Sequence, residues 1–394
     1  MSRSPTPASS GFFLFVLLIT AANLRTPLTV TGPVLENICR TFGLDAFGAG
    51  LLNFIPLLMF ALLAPLASWL GNRFGLEKTL WSAVWLIVIG SVLRITGSAE
   101  ALWLGTLTLS AGIAAANVLL PPLIKRDFTD HTVKYIGLYA STMAITASLA
   151  SGTAVPLAQA SRLGWSLSLG IWLLPALVAL VVWLPLLNRA RAAHAARRST
   201  PPTPLRSPWG SLLGWQVSLF MALQSMVFYT LIAWFTPYAQ ASGFSQQSAG
   251  WLLFLYQVIA VAANLSCMVA LKKLHDQRAI GLAASLAIFI GLAGLLLMPQ
   301  LAALWLIIAG LGAGASMVTC LSLFSLRAGD HQQAAQLSGM AQCVGYGLAA
   351  LGPLAFGLIH ERFASWHAAL AALLCMSLLQ IIIAPLAGRK KQIG

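Results

Sequence analysis

NRARAAHAARRSTPPTPLRSPW, residues 188–209, is the stretch on which the reading of this chain turns. It holds five arginines and a PPTP cluster, in a chain that is 59% hydrophobic and only 8% charged. Proline and like charge keep such a segment solvated and extended, so it reads as a linker. It leaves residues 1–187 before it and 210–394 after it. Soluble domains carry about 25% charged residues. A mean hydropathy of +0.84 over 394 residues therefore excludes a soluble fold and marks a polytopic membrane protein.

A membrane helix needs roughly 20 mostly apolar residues. Six stretches precede the linker: 11–35, 46–70, 79–96, 102–123, 135–158 and 165–187. Six follow it: 210–235, 248–271, 279–298, 302–326, 336–359 and 366–387. The expected fold is an all-α membrane protein of twelve transmembrane helices in two six-helix bundles, residues 1–187 and 210–394. A shift of about 201 residues superimposes the halves. The basic loop at 72–78 lands on 273–279, and Arg126 lands on Arg327. Spans and basic loops recur in order while side chains do not, so the repeat is architectural. Six-plus-six secondary transporters have this plan, with a midplane site where repeats meet.

Charge sidedness follows. With the N-terminus in the cytoplasm, 18 of the 23 Lys and Arg residues fall in cytoplasmic segments, the linker included. Arg40, Arg94, Arg162 and Arg362 fall on the other side. The positive-inside rule then puts both termini in the cytoplasm. It also accounts for the net charge of +14 without any nucleic acid. Cys39, Cys267, Cys320, Cys343 and Cys375 form no CxxC pair, which argues against a disulfide framework or a metal site. Most of the thirteen tryptophans lie near span ends, as interfacial anchors do.

All nine carboxylates and all six histidines fall in loops or at helix ends. That leaves Arg25, in ANLRTPLTV (residues 22–30), as the ionisable group deep in a span, with Arg94 a borderline second. An arginine at a helix centre costs about 2.5–3.5 kcal/mol on insertion scales, so it faces protein or a water-filled cavity. Two readings stand. Arg25 caps backbone carbonyls or snorkels outward, or it is the fixed positive charge of a substrate site with a planar donor fork. Pro27 lacks an N–H, so the Asn23 carbonyl loses its helical bond and the span should loosen at Asn23–Pro27. Asn23 and Arg25 stand about 200° apart on a regular helix. Arg25 is favoured as the inward group, with Thr29 one turn on.

Other polar residues recur at helical spacing. Thr106, Ser110 and Asn117 stripe the fourth span, and Tyr139, Thr142 and Thr146 the fifth. Ser225 and Tyr229 share a face of the seventh, with Gln224 adjoining. Gln257 and Asn264 share a face of the eighth, and Ser338, Gln342 and Tyr346 of the eleventh. Each one alone reads as a helix–helix hydrogen bond worth about 0.6 kcal/mol. As a set they could converge on one cavity. Gly310–Gly314 and glycines 345, 347, 352 and 357 read as packing positions.

The loop SWLGNRFGLEK, Ser68–Lys78, resembles the inter-helix motif Gly-x-x-x-Asp-Arg-x-Gly-Arg-Arg of the major facilitator superfamily. Arg73 and Gly75 fit. Asn72 replaces the acid, Ser68 the first glycine, and Leu76–Glu77 the basic pair, so a cytoplasmic gate built on that acid is out of step here. Within the superfamily, NLRTPLT with GPVL, NVLLPPLIKRDF (Asn117–Phe128) and LSGMAQCVGYGLAALGP (Leu337–Pro353) resemble the cyanate and 2-nitroimidazole transporter branch. The last two stand nearer its nitroimidazole side. The resemblance covers all twelve spans. It implies the superfamily fold, a bacterial inner-membrane location, and export of small planar electron-rich molecules such as 2-nitroimidazole. Uptake of cyanate or another small anion is the alternative. It also implies gating at Asn72, Arg73, Gly75, Lys125, Arg126 and Asp127.

The expected protein is therefore a secondary transporter working by alternating access. Substrate contacts are expected from Arg25, Thr29, Asn117, Tyr139, Gln224, Tyr229, Gln257, Gln342 and Tyr346. No GxxxxGK[ST] loop or HExxH is present, which sets ATP-driven pumping and membrane-embedded catalysis aside. The expected partners are a small-molecule substrate and the lipid bilayer. No cofactor and no nucleic acid are expected, and the chain is taken as a monomer.

Overall fold

A computed structural model describes residues 7–187, 206–274 and 276–393. Most of the expected linker, with four of its five arginines, lies outside the described residues, as does His275. Among the described residues the regular structure is all helical. The first half contains α1 (Pro7–Ala22), α2 (Thr26–Thr29), α3 (Leu35–Phe42), α4 (Ala46–Phe74), α5 (Leu76–Arg94), α6 (Ala99–Asp127), α7 (Thr132–Ala160), α8 (Trp165–Gly170) and α9 (Leu173–Val182). The second contains α10 (Leu212–Ala241), α11 (Gln246–Lys273), α12 (Arg278–Leu297), α13 (Ala302–Leu326), α14 (His331–Phe363) and α15 (Trp366–Ala387).

Eleven segments among the described residues are long and apolar enough to cross a membrane. The twelfth crossing is α7, 29 residues long, whose threonines and serines lower its hydropathy without shortening it. Two crossings are broken rather than continuous. The first runs through α1, α2, a 3-10 turn at Gly32–Val34 and α3. The sixth divides into α8 and α9.

Helix starts explain where the acids sit. The Asp45 carboxylate accepts from the Gly48 N–H at 2.8 Å to open α4. The Asp330 carboxylate accepts from the Gln333 N–H at 2.8 Å to open α14. Each satisfies an orphan N–H and faces the positive end of a helix dipole.

Contacts divide the chain into two units, Met1–Leu120 with Leu138–Pro204, and Pro121–Gly137 with Leu205–Gly394. The repeat is written into their packing. In the first unit, α5 and α6 touch backbone to backbone at Gly90, Gly105 and Gly112. A Cβ added at Gly112 would stand 2.5 Å from the Ala83 carbonyl oxygen and 2.9 Å from Ile87 Cγ1. In the second unit, a Cβ at Gly312 would stand 2.5 Å from the Ala284 carbonyl oxygen and 2.8 Å from Ile288 Cγ1. These positions correspond at a shift of 200 to 201 residues. Within an otherwise architectural repeat, this glycine contact recurs with its partners, Ala83 and Ile87 matching Ala284 and Ile288.

One buried arginine holds the broken first crossing. Arg94, 4% exposed at the end of α5, donates from Nη1 to the Pro27 carbonyl at 2.5 Å and from Nη2 to Thr31 Oγ1 at 2.6 Å. It plays the part the sequence had offered to Arg25, that of satisfying backbone in a span. Arg327 does the like at the basic-loop side of the second unit. It donates to the carbonyls of Ala387 (3.1 Å) and Gly388 (2.9 Å), and to Gln277 Oε1 at 2.5 Å. Burial draws its pKa down to about 10, with Asp276 opposing the shift, so it stays charged at neutral pH. Arg126, its counterpart in the repeat, instead pairs with the adjacent Asp127, Nε to Oδ1 at 2.7 Å. The residues after Arg327, Ala328 and Gly329, offer no such carboxylate.

Two measurements test this packing. Gly112→Leu and Gly312→Leu should each lower the melting temperature of the purified protein, by an overpacking cost of roughly 1–3 kcal/mol. Gly152→Leu, where nothing stands within 4 Å of an added Cβ, should not. Arg94→Ala should speed hydrogen exchange of the amides at 28–31 by about tenfold or more. That is the scale of a lost charge-assisted bond of about 1.5–3 kcal/mol. Unchanged exchange would remove Arg94 from its holding role.

Candidate substrate site

The break in the first crossing follows from the absent N–H of Pro27. Side chains bond other backbone acceptors in the turn before the break. Asn23 Nδ2 donates to the Ile19 carbonyl at 2.7 Å, and Thr26 Oγ1 donates to the Ala22 carbonyl at 2.8 Å. Thr146 Oγ1 on α7 reaches the same Ala22 carbonyl at 3.4 Å. Arg25 is the residue before α2, with φ −121° and ψ −32°, and its carbonyl accepts from the N–H groups of Leu28 and Thr29. This local unwinding removes the regular-helix geometry that set Asn23 and Arg25 apart. Asn23 is fully buried, and its Oδ1 finds no partner. Arg25 is half-buried.

Two of the residues singled out in the first half bond each other, and the charge of a third acts on them. Tyr139 on α7 donates its hydroxyl to Asn117 Oδ1 on α6 at 3.2 Å, and both are buried. Arg25 lies within electrostatic reach of that hydroxyl. The resulting group is a guanidinium, a phenol and an amide, drawn from three helical segments of one unit. Thr29 has another place. Its hydroxyl sits among the carbonyls of Arg25 (3.1 Å), Thr26 (3.4 Å) and Ala147 (3.2 Å), tying α2 to α7.

The remaining hydroxyls of these stripes bond their own helices. Thr106, Ser110, Thr142 and Thr146 each donate to the carbonyl four residues back, at 2.6–2.9 Å. Such back-bonding satisfies a hydroxyl inside a membrane and leaves little for a ligand. Trp183 is not an interfacial anchor. It is fully buried and donates Nε1 to Thr20 Oγ1 at 2.9 Å.

In the second unit, Gln224 Nε2 donates to Ser225 Oγ at 2.7 Å and lies 3.4 Å from Met221 Sδ and 3.7 Å from Met317 Sδ. Gln342 Nε2 donates to Ser338 Oγ at 3.0 Å. The rings of Tyr229 and Tyr346 meet edge to face, centroids 6.4 Å apart, joining α10 to α14. Close approach of those helices rests on Gly345 against Met221 and Gly352 against Met226. Gln257 is half-buried on α11, and Asn264 two turns on is buried with Oδ1 unpartnered. Trp234 donates Nε1 to the Pro353 carbonyl at 2.8 Å and packs with Phe356 and Trp366, so it belongs to the apolar core.

The expected gate residues take three different environments. Arg73 is exposed and stands over the rings of Trp69 (5.1 Å) and Phe74 (5.7 Å). Gly75 has φ +97°, a value that favours glycine, and makes the sharp passage from α4 to α5 beside half-buried Asn72. Lys125 Nζ donates to the carbonyls of Ser325 and Ala328, both at 2.5 Å. Arg126 grips Asp127 through two bonds of 2.7 and 2.8 Å.

Chemically the two polar groups offer donors and thioethers rather than acids. The described residues contain no group of three or more His, Cys, Asp or Glu able to hold a metal ion. Sequence reasoning gave Arg94 too small a part. The signal available was an arginine near the outer end of the third crossing, with a proline break elsewhere to hold.

The sequence model of the Major Facilitator Superfamily matches residues 12–353. The chain is 39% identical over 377 residues to the 2-nitroimidazole transporter of Escherichia coli (strain K12), covering 96% of this chain and 95% of that one. It is 38% identical over 379 residues to the uncharacterized transporter YycB of Bacillus subtilis (strain 168), covering 96% and 93%. It is 28% identical over 350 residues to the cyanate transport protein CynX of Escherichia coli (strain K12), covering 88% and 90%. With twelve crossings in a six-plus-six repeat and a family match over most of its length, the chain belongs to the major facilitator superfamily of secondary transporters.

Proposed function

We propose that this transporter exports small, planar, electron-rich molecules of the 2-nitroimidazole type from the bacterial cytoplasm. The observation that carries the reading is Arg25. It is a half-buried guanidinium at a helix break, with the Tyr139–Asn117 pair in its field. A nitro group presents two oxygens to such a donor fork, and a heteroaromatic ring adds acceptors for amide and phenol donors. The high identity to a 2-nitroimidazole transporter supports this substrate class. In the second unit, Gln224, Tyr229, Gln257, Gln342 and Tyr346 are the further contacts we assign, with Thr29 acting as a tie. Asn72, Arg73, Gly75, Lys125, Arg126 and Asp127 are assigned to gating, the chain works as a monomer, and both termini face the cytoplasm of the inner membrane.

A second reading is uptake of cyanate or another small anion. Arg25 favours it, since a fixed positive charge suits an anion, and so does the likeness to a cyanate transport protein.

Flux into sealed everted membrane vesicles separates the two. Everted vesicles holding the wild-type chain should accumulate 2-nitroimidazole, and their right-side-out counterparts should not. Arg25→Ala should cut the rate by about 10- to 100-fold, from a lost charge-assisted contact of about 1.5–3 kcal/mol, while expression and monodispersity persist. Arg25→Lys should recover little, because the planar fork is lost. Cyanate flux without nitroimidazole flux selects the second reading. Full activity in the alanine variant removes Arg25 from both.

A further inference from the structure

The ends of α6, α7, α11 and α13 that carry basic loops surround a cavity of about 340 Å³ in the second unit. Lys125, Lys134, Lys272 and His131 line it, with Asp130 as the single carboxylate among its lining residues. Three ammonium groups against Asp130, with Asp330 acting on Lys125 from outside the lining, leave the cavity a net positive field. Among the described residues neither Lys134 nor Lys272 joins an ion pair. Lys134 stands 5.7 Å from the Tyr135 ring centroid, and both lysines are exposed at the mouth.

Lys125 forms the deeper wall. Its ammonium has three donors. Two are committed to the carbonyls of Ser325 and Ala328, at the negative end of the α13 dipole. The third remains for a ligand in the cavity. The first turn of α7, through Thr132 and Val133, faces the same space and adds the positive end of another dipole.

Leu271, Leu274 and Leu326 add an apolar strip to a wall that also carries the neutral polar residues Thr129, Gln277, Ser325 and Gln392. A free inorganic anion gains nothing from leucine. An amphiphile gains from both surfaces, with its charged head among the lysines and its chain along the apolar strip. Cytoplasmic leaflets are rich in anionic headgroups, and lysines beside a membrane attract them at about 1 kcal/mol each. The volume lies within the roughly 300–1,000 Å³ range of small-molecule sites. We propose that this cavity binds the phosphate headgroup of an anionic phospholipid.

Native mass spectrometry of the purified full chain, with equal amounts of phosphatidylglycerol and phosphatidylcholine, tests the site. The wild type should retain phosphatidylglycerol several-fold over phosphatidylcholine. Lys134→Gln with Lys272→Gln should abolish that preference. Both residues are exposed and outside the α13 cap, so folding should survive. Lys390→Gln with Lys391→Gln, a control on the basic tail, should leave it intact. Equal retention of the two lipids, or a Lys134/Lys272 variant that behaves as wild type, overturns the proposal. Inorganic phosphate that displaces no lipid but stabilises the delipidated protein through the same two lysines assigns the cavity to free phosphate and overturns the lipid assignment.

Discussion

Two hydrogen bonds from Arg94 to the far side of a proline break are the constraint on which the first unit's polar group depends. A regular helix through Asn23 and Arg25 would hold those two groups on nearly opposite faces. With Pro27 the ladder opens, and the backbone needs another donor inside a medium that supplies none. Arg94 gives one to the Pro27 carbonyl and a second to the Thr31 hydroxyl, and Asn23, Thr26 and Thr146 bond backbone acceptors beside the break. Arg25, at the residue before α2, is half-buried, and its charge acts on the Tyr139 hydroxyl bonded to Asn117.

The second unit reaches a related end by other means. Its first crossing, α10, carries no break, and its polar residues are set by close packing against α14 through Gly345 and Gly352. Gln224 lies beside two methionine sulfurs and donates to Ser225. The superfamily plan of two repeats is therefore kept in the glycine contacts, Gly112 matching Gly312, while the polar groups have diverged. Packing tolerates little change in volume, whereas a polar site is free to change its chemistry.

The sequence made legible what depends on local physics. The twelve crossings followed from hydropathy and the loosening at Asn23–Pro27 from one missing N–H. The placing of the acids at helix ends followed from their cost in lipid, and Asp45 and Asp330 serve there as caps. What stayed hidden depends on which helices meet. Arg94 finds Pro27 across 67 residues, Trp183 finds Thr20 across 163, and Lys125 finds Ser325 across 200. Nothing in a hydropathy pattern carries those pairings. Thr29 shows the same limit on a small scale, because its distance from Arg25 was legible but the Ala147 carbonyl that engages it was not.

The measurement that bears most directly on this account is an experimental structure of the protein with 2-nitroimidazole bound. The account predicts the nitro oxygens at hydrogen-bond distance, about 3 Å, from the Arg25 guanidinium, with Arg94 still on the Pro27 carbonyl. A ligand seated away from Arg25, with that guanidinium turned to backbone carbonyls or to the membrane surface, would contradict it.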